Sequence, residues 1–337
     1  MSAKSKISVG VITYNQQDSI RQTLDSIFMQ QGDFDLELVI GEDCSTDNTY
    51  AICQEYASKS PITNCNSQIV LLQNKNNLGI MANYARVMHA CSGEFISIIA
   101  GDDYYIDNHA LEKQMFYMQA HPEVGVMGAN GYQYFVRRNE KIAGFNPTIL
   151  AGEDKAKKFY FSSNYRGGVY LWPIGLMIRQ KMLQYLNFEE MIRRGIPVED
   201  YPMQAILSQY TQFACLPDLL VDYRVYKESA SFLSYEHPRY LLYHRGLIET
   251  RRYLNKLFPK DACFSEKTLQ EQLFYKEFLY HVYWRDYGAA RELIKQYQPS
   301  IADTGKWKKA HRITLSRVFF YGFSWYKRYK HRKENKV

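Results

Sequence analysis

Asp102 and Asp103 stand side by side directly after the apolar run Phe95–Gly101 (FISIIAG). That is the pattern of a buried strand ending in two carboxylates, and no cation neighbours them in sequence. Like charges held so close repel, and each raises the other's pKa unless a cation arrives from elsewhere. A divalent ion answers that need, because hard carboxylate oxygens suit Mg²⁺ or Mn²⁺, which also bind phosphate oxygens. Asp is equally a common turn former. On their own, then, the two residues leave a turn and a metal–diphosphate site evenly matched.

The elements around the pair narrow this. The first 130 residues alternate strand and helix patterns. Strands are expected at Ile7–Thr13, Leu36–Ile40, Gln68–Leu72, Phe95–Ala100 and Val124–Ala129. Between them run helical spacings, the first carrying Ile20, Leu24, Ile27 and Phe28. Ser45, Thr46 and Asp47 can cap a second helix reaching about Ser58. Such alternation predicts a mostly parallel α/β sheet flanked by helices, with ligands at the carboxyl ends of the strands. Three polar clusters fall at those ends: Thr13-Tyr14-Asn15, Glu42-Asp43 and Asp102-Asp103. No Rossmann or Walker glycine fingerprint and no HExxH is present, so dehydrogenase, P-loop ATPase and metalloprotease readings lose their main support. Carboxylates at strand ends can instead accept hydrogen bonds from a base or ribose and, with a metal, hold a diphosphate. They make a site for a nucleoside diphosphate derivative without a P-loop.

Beyond about residue 140 the alternation stops. Residues 159–172 are rich in aromatics around Arg166 and could stack on planar or sugar rings or simply form core. Helical patterns return near 180–194 and 200–210, short strands near 213–216 and 219–224, and 237–297 reads as helical. No apolar run approaches the roughly 18 residues of a spanning helix, and no signal-peptide pattern precedes the first strand. The six cysteines form no CxxC pair, so a reduced, cytosolic protein is expected. The net charge of +7 is very uneven: residues 306–337 carry eleven Lys and Arg against the single acid Glu334. The rest of the chain is mildly acidic. This tail interleaves Phe319, Phe320, Trp325 and Tyr326 with its cations, a composition that suits an anionic membrane surface. Nucleic acid would use the same charges without a further basic cluster in the acidic body, and a solvated, frayed end is the plain alternative.

In order and spacing, Val9–Asn15 (VGVITYN), Glu42–Thr49 (EDCSTDNT), Asn77-Leu78-Gly79 with Gly93–Ile96, and Gly101–Tyr105 (GDDYY) resemble family 2 glycosyltransferases. The resemblance covers roughly residues 5–230. It implies a GT-A fold and an inverting, metal-dependent transfer from a nucleotide sugar. By position, Thr13, Tyr14 and Asn15 would line the nucleotide, and Asp43 would accept the uracil N3–H, favouring UDP. Asp102 would face the ribose or the metal's water shell, and Asp103 would ligate Mn²⁺ or Mg²⁺. Asp200, in Pro197–Pro202 (PVEDYP), would be the base that deprotonates the acceptor hydroxyl. Read without the family, Asp43 caps the helix near Ser45 and Asp200 caps the helix it precedes.

The acceptor implied is a saccharide, lipid-linked (undecaprenyl) in bacterial surface polysaccharide synthesis, with the enzyme peripheral on the inner face of the cell membrane. The expected divisions are 1–235 for the transferase, 236–305 for a helical extension and 306–337 for the basic tail. One departure stands out. Many relatives carry a histidine where this chain has Tyr226, in Tyr223-Arg224-Val225-Tyr226. Arg224 or Lys227 could meet the diphosphate there, or be solvated or structural. The missing histidine keeps a second reading open: a non-catalytic nucleotide-sugar-binding or scaffold protein at the membrane.

Overall fold

The computed structural model describes residues 4–58, 68–153, 170–226 and 234–334, apart from the side chains of 332–334. Arg166, Lys227, Cys65 and most of the aromatic stretch 159–172 therefore lie outside the described residues. The chain divides into two compact units, residues 1–227 and 228–337.

In the first unit the alternation reads β1 (Ser5–Thr13), α1 (Ile20–Phe28), β2 (Phe34–Glu42), α2 (Thr49–Ala57), β3 (Gln68–Gln73), α3 (Ile80–Ala90) and β4 (Phe95–Ala100). There follow β5 (Tyr104–Tyr105), α4 (Ala110–Ala120), β6 (Val124–Phe135), β7 (Glu140–Ala143), β8 (Leu176–Arg179), α5 (Phe188–Arg193), α6 (Asp200–Leu207) and β9 (Gln212–Val225). The sheet order is β3-β2-β1-β4-β8-β6-β9-β5, with β7 paired to β6. Strands β3, β2, β1 and β4 are mutually parallel, while β8 enters antiparallel to both β4 and β6.

Side-chain alternation explains how both faces are covered. Ile7, Val9 and Val11 of β1 share one core with Ile20, Leu24 and Ile27 of α1. On the opposite face, Gly10 and Gly41 leave room for α3: a Cβ on either would stand 2.7 and 2.4 Å from the Val87 methyls. Each buried aliphatic side chain contributes about 1.5–3 kcal/mol. The order β2-β1-β4 places a topological switch point between β1 and β4, where open α/β sheets leave a crevice. Thr13 and Asp102 flank it.

Two features differ from the sequence expectation. Strand β8, only four residues long, is too short to show a period. The expected short strands near 213–216 and 219–224 are one 14-residue strand, β9, carried past irregular register against β6.

The second unit holds α7 (Tyr240–Leu257), α8 (Glu266–Tyr283), α9 (Tyr287–Ile301), α10 (Gly305–Thr314) and α11 (Arg317–Glu334). Ser265, Asp286 and Thr304 cap α8, α9 and α10 by accepting from the backbone N–H three residues on. Phe274, Phe278, Val282, Ile301, Trp307 and Phe320 form its core. The described part of the basic tail is therefore two helices with a buried side.

Candidate active site

Three strand ends build one edge of the site. Asp43 N–H donates to the Thr13 carbonyl at 3.0 Å, and Gly101 N–H to the Ile12 carbonyl at 2.9 Å, so the chain leaving β1 is tied to its neighbours on both sides. Asn15 and Cys44 then turn with φ of 52° and 61°, in the left-handed region that non-glycine residues rarely adopt. Reciprocal bonds hold these turns together: Asn15 N–H donates to Ser45 Oγ at 3.0 Å, and Thr46 N–H to Asn15 Oδ1 at 2.8 Å. Gln16 N–H reaches Thr49 Oγ1 at 2.7 Å. Thr13 itself is buried, whereas the Tyr14 side chain, 43% exposed, is left as an open ring at the strand end.

Asp43 does not cap the helix that follows. Its Oδ1 accepts from Asn74 Nδ2 at 2.8 Å and Leu78 N–H at 2.7 Å, and its Oδ2 accepts from Gly79 N–H at 2.9 Å. The carboxylate thus anchors the loop leading into α3. A carboxylate offers about four lone-pair positions, so one acceptor direction remains, on Oδ2. Glu42 meets the segment after β2 instead, accepting from Ser45 N–H at 2.7 Å, while its Oε2 is buried without a partner among the described residues. The capping position of α2 belongs to Asn48, which makes no side-chain cap, and Asp47 Oδ1 accepts from Thr49 N–H at 2.9 Å just ahead of the helix.

The aspartate pair follows β4. Gly101 is required there: a Cβ would lie 2.5 Å from Gln16 Oε1 and 2.6 Å from Thr13 Oγ1. Asp103 is buried, and its Oδ1 accepts from the Arg224 backbone N–H at 2.9 Å. Its Oδ2 accepts nothing among the described residues. Burial, then the Asp102 charge, push the Asp103 pKa well above the usual carboxylate range, against the pull of Arg224. Asp102, half-buried, is raised as well by burial, with Arg224 and Gln16 opposing.

The cation missing from the local sequence arrives from β9. Arg224 is buried rather than solvated, donates to the Asp102 carbonyl and to Gln22 Oε1, and lies over the Tyr104 ring with its guanidinium carbon 4.5 Å from the centroid. Beside it opens a hollow of about 480 Å³ lined by Gln22, Tyr104, Tyr134, Asn139, Lys141 and Arg224. Tyr226 is also close: burial raises its hydroxyl pKa, Arg224 opposes the rise, and the Asp102, Asp103 and Asp18 charges add to it.

These residues suit a divalent cation. Two hard carboxylates stand side by side where burial and their mutual charge disfavour joint ionisation, and of the Asp103 oxygens only Oδ1 accepts a hydrogen bond among the described residues. Among the described residues no cluster of three His, Cys, Asp or Glu side chains is present. Such a donor set matches an ion of the Mg²⁺ type, held by one or two carboxylates and completed by water and substrate phosphates.

Asp200 forms a separate group at the start of α6. The capping position belongs to Glu199, which makes no side-chain cap. Asp200 Oδ2 accepts from the Tyr170 hydroxyl and its Oδ1 from Tyr201 N–H at 2.6 Å. Burial raises the Asp200 pKa, and these two donors restrain the rise. Glu199 lacks such donors, and burial plus the Asp200 charge push it up to about 8. Of the two carboxyls, Asp200 is thus the better stabilised as an anion and Glu199 the more readily protonated. Among the described residues no hydrogen bond joins Asp200 to the Asp102–Asp103 pair.

Sequence reasoning missed Asn74 and Gln16, placed Tyr170 in an aromatic stretch without linking it to Asp200, and left Arg224 undecided. Asn74 follows β3 and could have been found as a fourth strand-end polar residue. Arg224 carries no local signal, because only the return of β9 brings it to residues more than a hundred positions earlier.

The family model described as glycosyl transferase family 2 matches residues 8–185, just over half of the chain. An uncharacterised protein of Mycobacterium tuberculosis is 37% identical over 120 residues, covering 36% of this chain and 33% of its own length. The putative glycosyltransferase EpsE of Bacillus subtilis is 30% identical over 128 residues, covering 38% and 44%. The chain thus matches a third to under a half of the length of these relatives. Among solved structures, Staphylococcus aureus TarS 1–349 in complex with UDP-GlcNAc aligns with a TM-score of 0.52 at 19% identity, over 93% of this chain and 81% of that one. The mannosyltransferase PcManGT from Pyrobaculum calidifontis, in complex with GDP-Man and Mn²⁺, aligns with a TM-score of 0.52 at 13% identity, over 96% and 88%. These likenesses establish the fold, in agreement with the GT-A arrangement expected from the sequence.

Proposed function

The chain belongs to glycosyl transferase family 2, and from that premise we propose that it is a metal-dependent, inverting glycosyltransferase. It moves a sugar from a nucleotide sugar, UDP-linked, to a hydroxyl of a saccharide acceptor. The observation that carries this reading is the crevice between β1 and β4, where Thr13, Asp43 and the Asp102–Asp103 pair meet at strand ends. It lies where an open α/β sheet accepts a nucleotide. The two solved neighbours named above hold a uridine and a guanosine diphosphate sugar, the second with Mn²⁺.

In this reading Tyr14 lies along the base, Asn15 and the buried Thr13 shape the turn beneath it, and the remaining lone pair of Asp43 accepts the uracil N3–H. Asp103 would hold a Mn²⁺ or Mg²⁺ ion, and Asp102 would face the ribose or the water around that ion. The bound cation would neutralise charge developing on the departing diphosphate. Asp200 accepts the proton of the acceptor hydroxyl as that oxygen attacks C1 from the face opposite the diphosphate, which inverts the centre. The Tyr170 hydroxyl and the Tyr201 N–H favour the anion of Asp200 for that task, and Glu199 is the carboxyl of the pair more easily protonated. The hollow beside Arg224 offers aromatic and polar walls to a saccharide. A lipid-linked acceptor in surface polysaccharide synthesis would bring the enzyme to the inner face of a membrane, and 306–337 is the segment fitted to one.

Asp200→Asn tests the reaction: donor binding should persist while transfer falls by about 10²–10⁴-fold. A retained rate removes Asp200 as base. Tyr226 beside the aspartates favours one competing reading, a nucleotide-sugar-binding protein without turnover. Slow Mn²⁺-dependent hydrolysis of UDP-sugars by the purified protein would exclude it.

A further inference from the structure

Helix α11 is divided lengthwise into two unlike faces. Phe320 and Ser324 are buried within the second unit, Phe320 edge-on against Tyr287 at 5.3 Å. Away from them point Val318, Phe319, Trp325, Tyr326 and Tyr329, of which Val318 is 80%, Phe319 71% and Trp325 68% exposed. Val318, Gly322, Trp325 and Tyr329 follow one another at spacings of four, three and four, with Phe319 and Tyr326 one position on from Val318 and Trp325 along one edge, so the side chains form one stripe. Trp325 and Tyr329 stack along it at 5.7 Å. Scattered exposed apolar side chains are ordinary, but a contiguous aromatic stripe marks an interaction surface.

Charge identifies the partner. Exposed Lys308, Lys309, Arg312 and Arg317 lead into the stripe, and eleven cations against one acid occupy 306–337. Among the described residues no helix is long and apolar enough to cross a membrane. A helix with one aromatic face, one packed face and a cationic surround lies in the plane of a lipid interface, where Trp and Tyr rings settle at headgroup depth. A second copy of this chain fits poorly, because a two-fold contact would set the same cationic segment against itself.

We propose that the Val318–Tyr329 face of α11 is an in-plane docking surface for a bilayer rich in anionic lipid. The bilayer takes up the exposed rings while the flanking Lys and Arg side chains meet its headgroups. This surface gives the membrane partner of the proposed function a defined place on the chain. It needs no donor or metal, so its failure and the failure of the transferase reading are separable.

The full chain, without nucleotide, is sedimented with vesicles of phosphatidylcholine alone or mixed with phosphatidylglycerol. Binding to the mixed vesicles only, weakening as salt screens the charges, is the expected result. Brominated lipid should quench the native tryptophan emission, and Trp325→Phe should lose most of that quenching while binding nearly as well. Phe319→Ser with Trp325→Ser and Tyr329→Ser, all exposed and therefore compatible with folding, should weaken partitioning at least about tenfold, a difference of about 1.4 kcal/mol. The proposal is overturned if the native chain ignores anionic vesicles or if Trp325→Phe leaves quenching intact. It also falls if the triple variant binds unchanged, if the stripe instead forms a dimer that the triple substitution dissolves, or if oligonucleotides bind where vesicles do not.

Discussion

Arg224→Met removes the guanidinium beside the aspartate pair and keeps much of its stem. Two hydrogen bonds from a charged donor are lost, those to the Asp102 carbonyl and Gln22, each of about 1.5–3 kcal/mol. The contact over Tyr104 adds about 0.5–2 kcal/mol. These terms share one site and do not simply add, and methionine recovers part of the packing. A net destabilisation of about 3–5 kcal/mol results, large beside the 5–15 kcal/mol typical of a domain. It should also depend on pH. Both aspartates have raised pKa values in the fold, so the native state binds protons that the unfolded chain has released. Stability is therefore full below the unfolded carboxylate value of about 3.9 and falls as pH rises through the folded values. Without Arg224 that fall steepens, because the carboxylates lose the charge that opposed the rise. Urea unfolding in EDTA at about pH 4.5 and about pH 7.5 should show the larger cost at the higher pH. A cost below about 1 kcal/mol, or the same cost at both pH values, would refute the role given to Arg224.

Tyr170→Phe withdraws a donor that holds the Asp200 pKa down. The base then stays protonated to higher pH, so the acidic limb of the transfer rate should move upward on the pH axis; an unmoved limb separates Tyr170 from the base. Asp43→Asn turns an amide NH₂ towards the Gly79 or Leu78 N–H groups that now donate to it. It should cost about 1–3 kcal/mol in thermal or urea unfolding besides weakening UDP, and a neutral effect on stability would mean the α3 loop does not depend on it.

Much of the first unit is legible in the sequence because its strands are long, apolar and buried on both faces. Phe95–Ala100 reads as a strand with its observed limits, and Gln68–Leu72 falls one residue short. The clusters at Thr13, Asp43 and Asp102 stand out for the same reason: polar residues ending apolar runs. What escapes is set by distance along the chain. Four-residue β8 has no period to show, and its place between β4 and β6 is a tertiary choice. Asp43 looks like a cap for the next helix, yet its carboxylate turns to Leu78 and Gly79, across a neighbouring strand. Arg224 sits in a segment that locally predicts only a strand, and its cationic role exists only once β9 returns beside β5. Composition marks 306–337 as basic and aromatic, but only the packing of Phe320 and Ser324 shows which side of α11 is left outward.

The central claim is that this carboxylate site binds a nucleoside diphosphate through a divalent cation at Asp103. Its most direct test is equilibrium binding of UDP to the native chain and to Asp103→Ala, each with Mn²⁺ and with EDTA. The account predicts that the native chain binds with Mn²⁺ and loses at least about tenfold in affinity, about 1.4 kcal/mol, in EDTA. The folded Asp103→Ala protein should bind equally weakly under both conditions. UDP affinity indifferent to both Mn²⁺ and Asp103, or no UDP binding by the native chain at all, would contradict it.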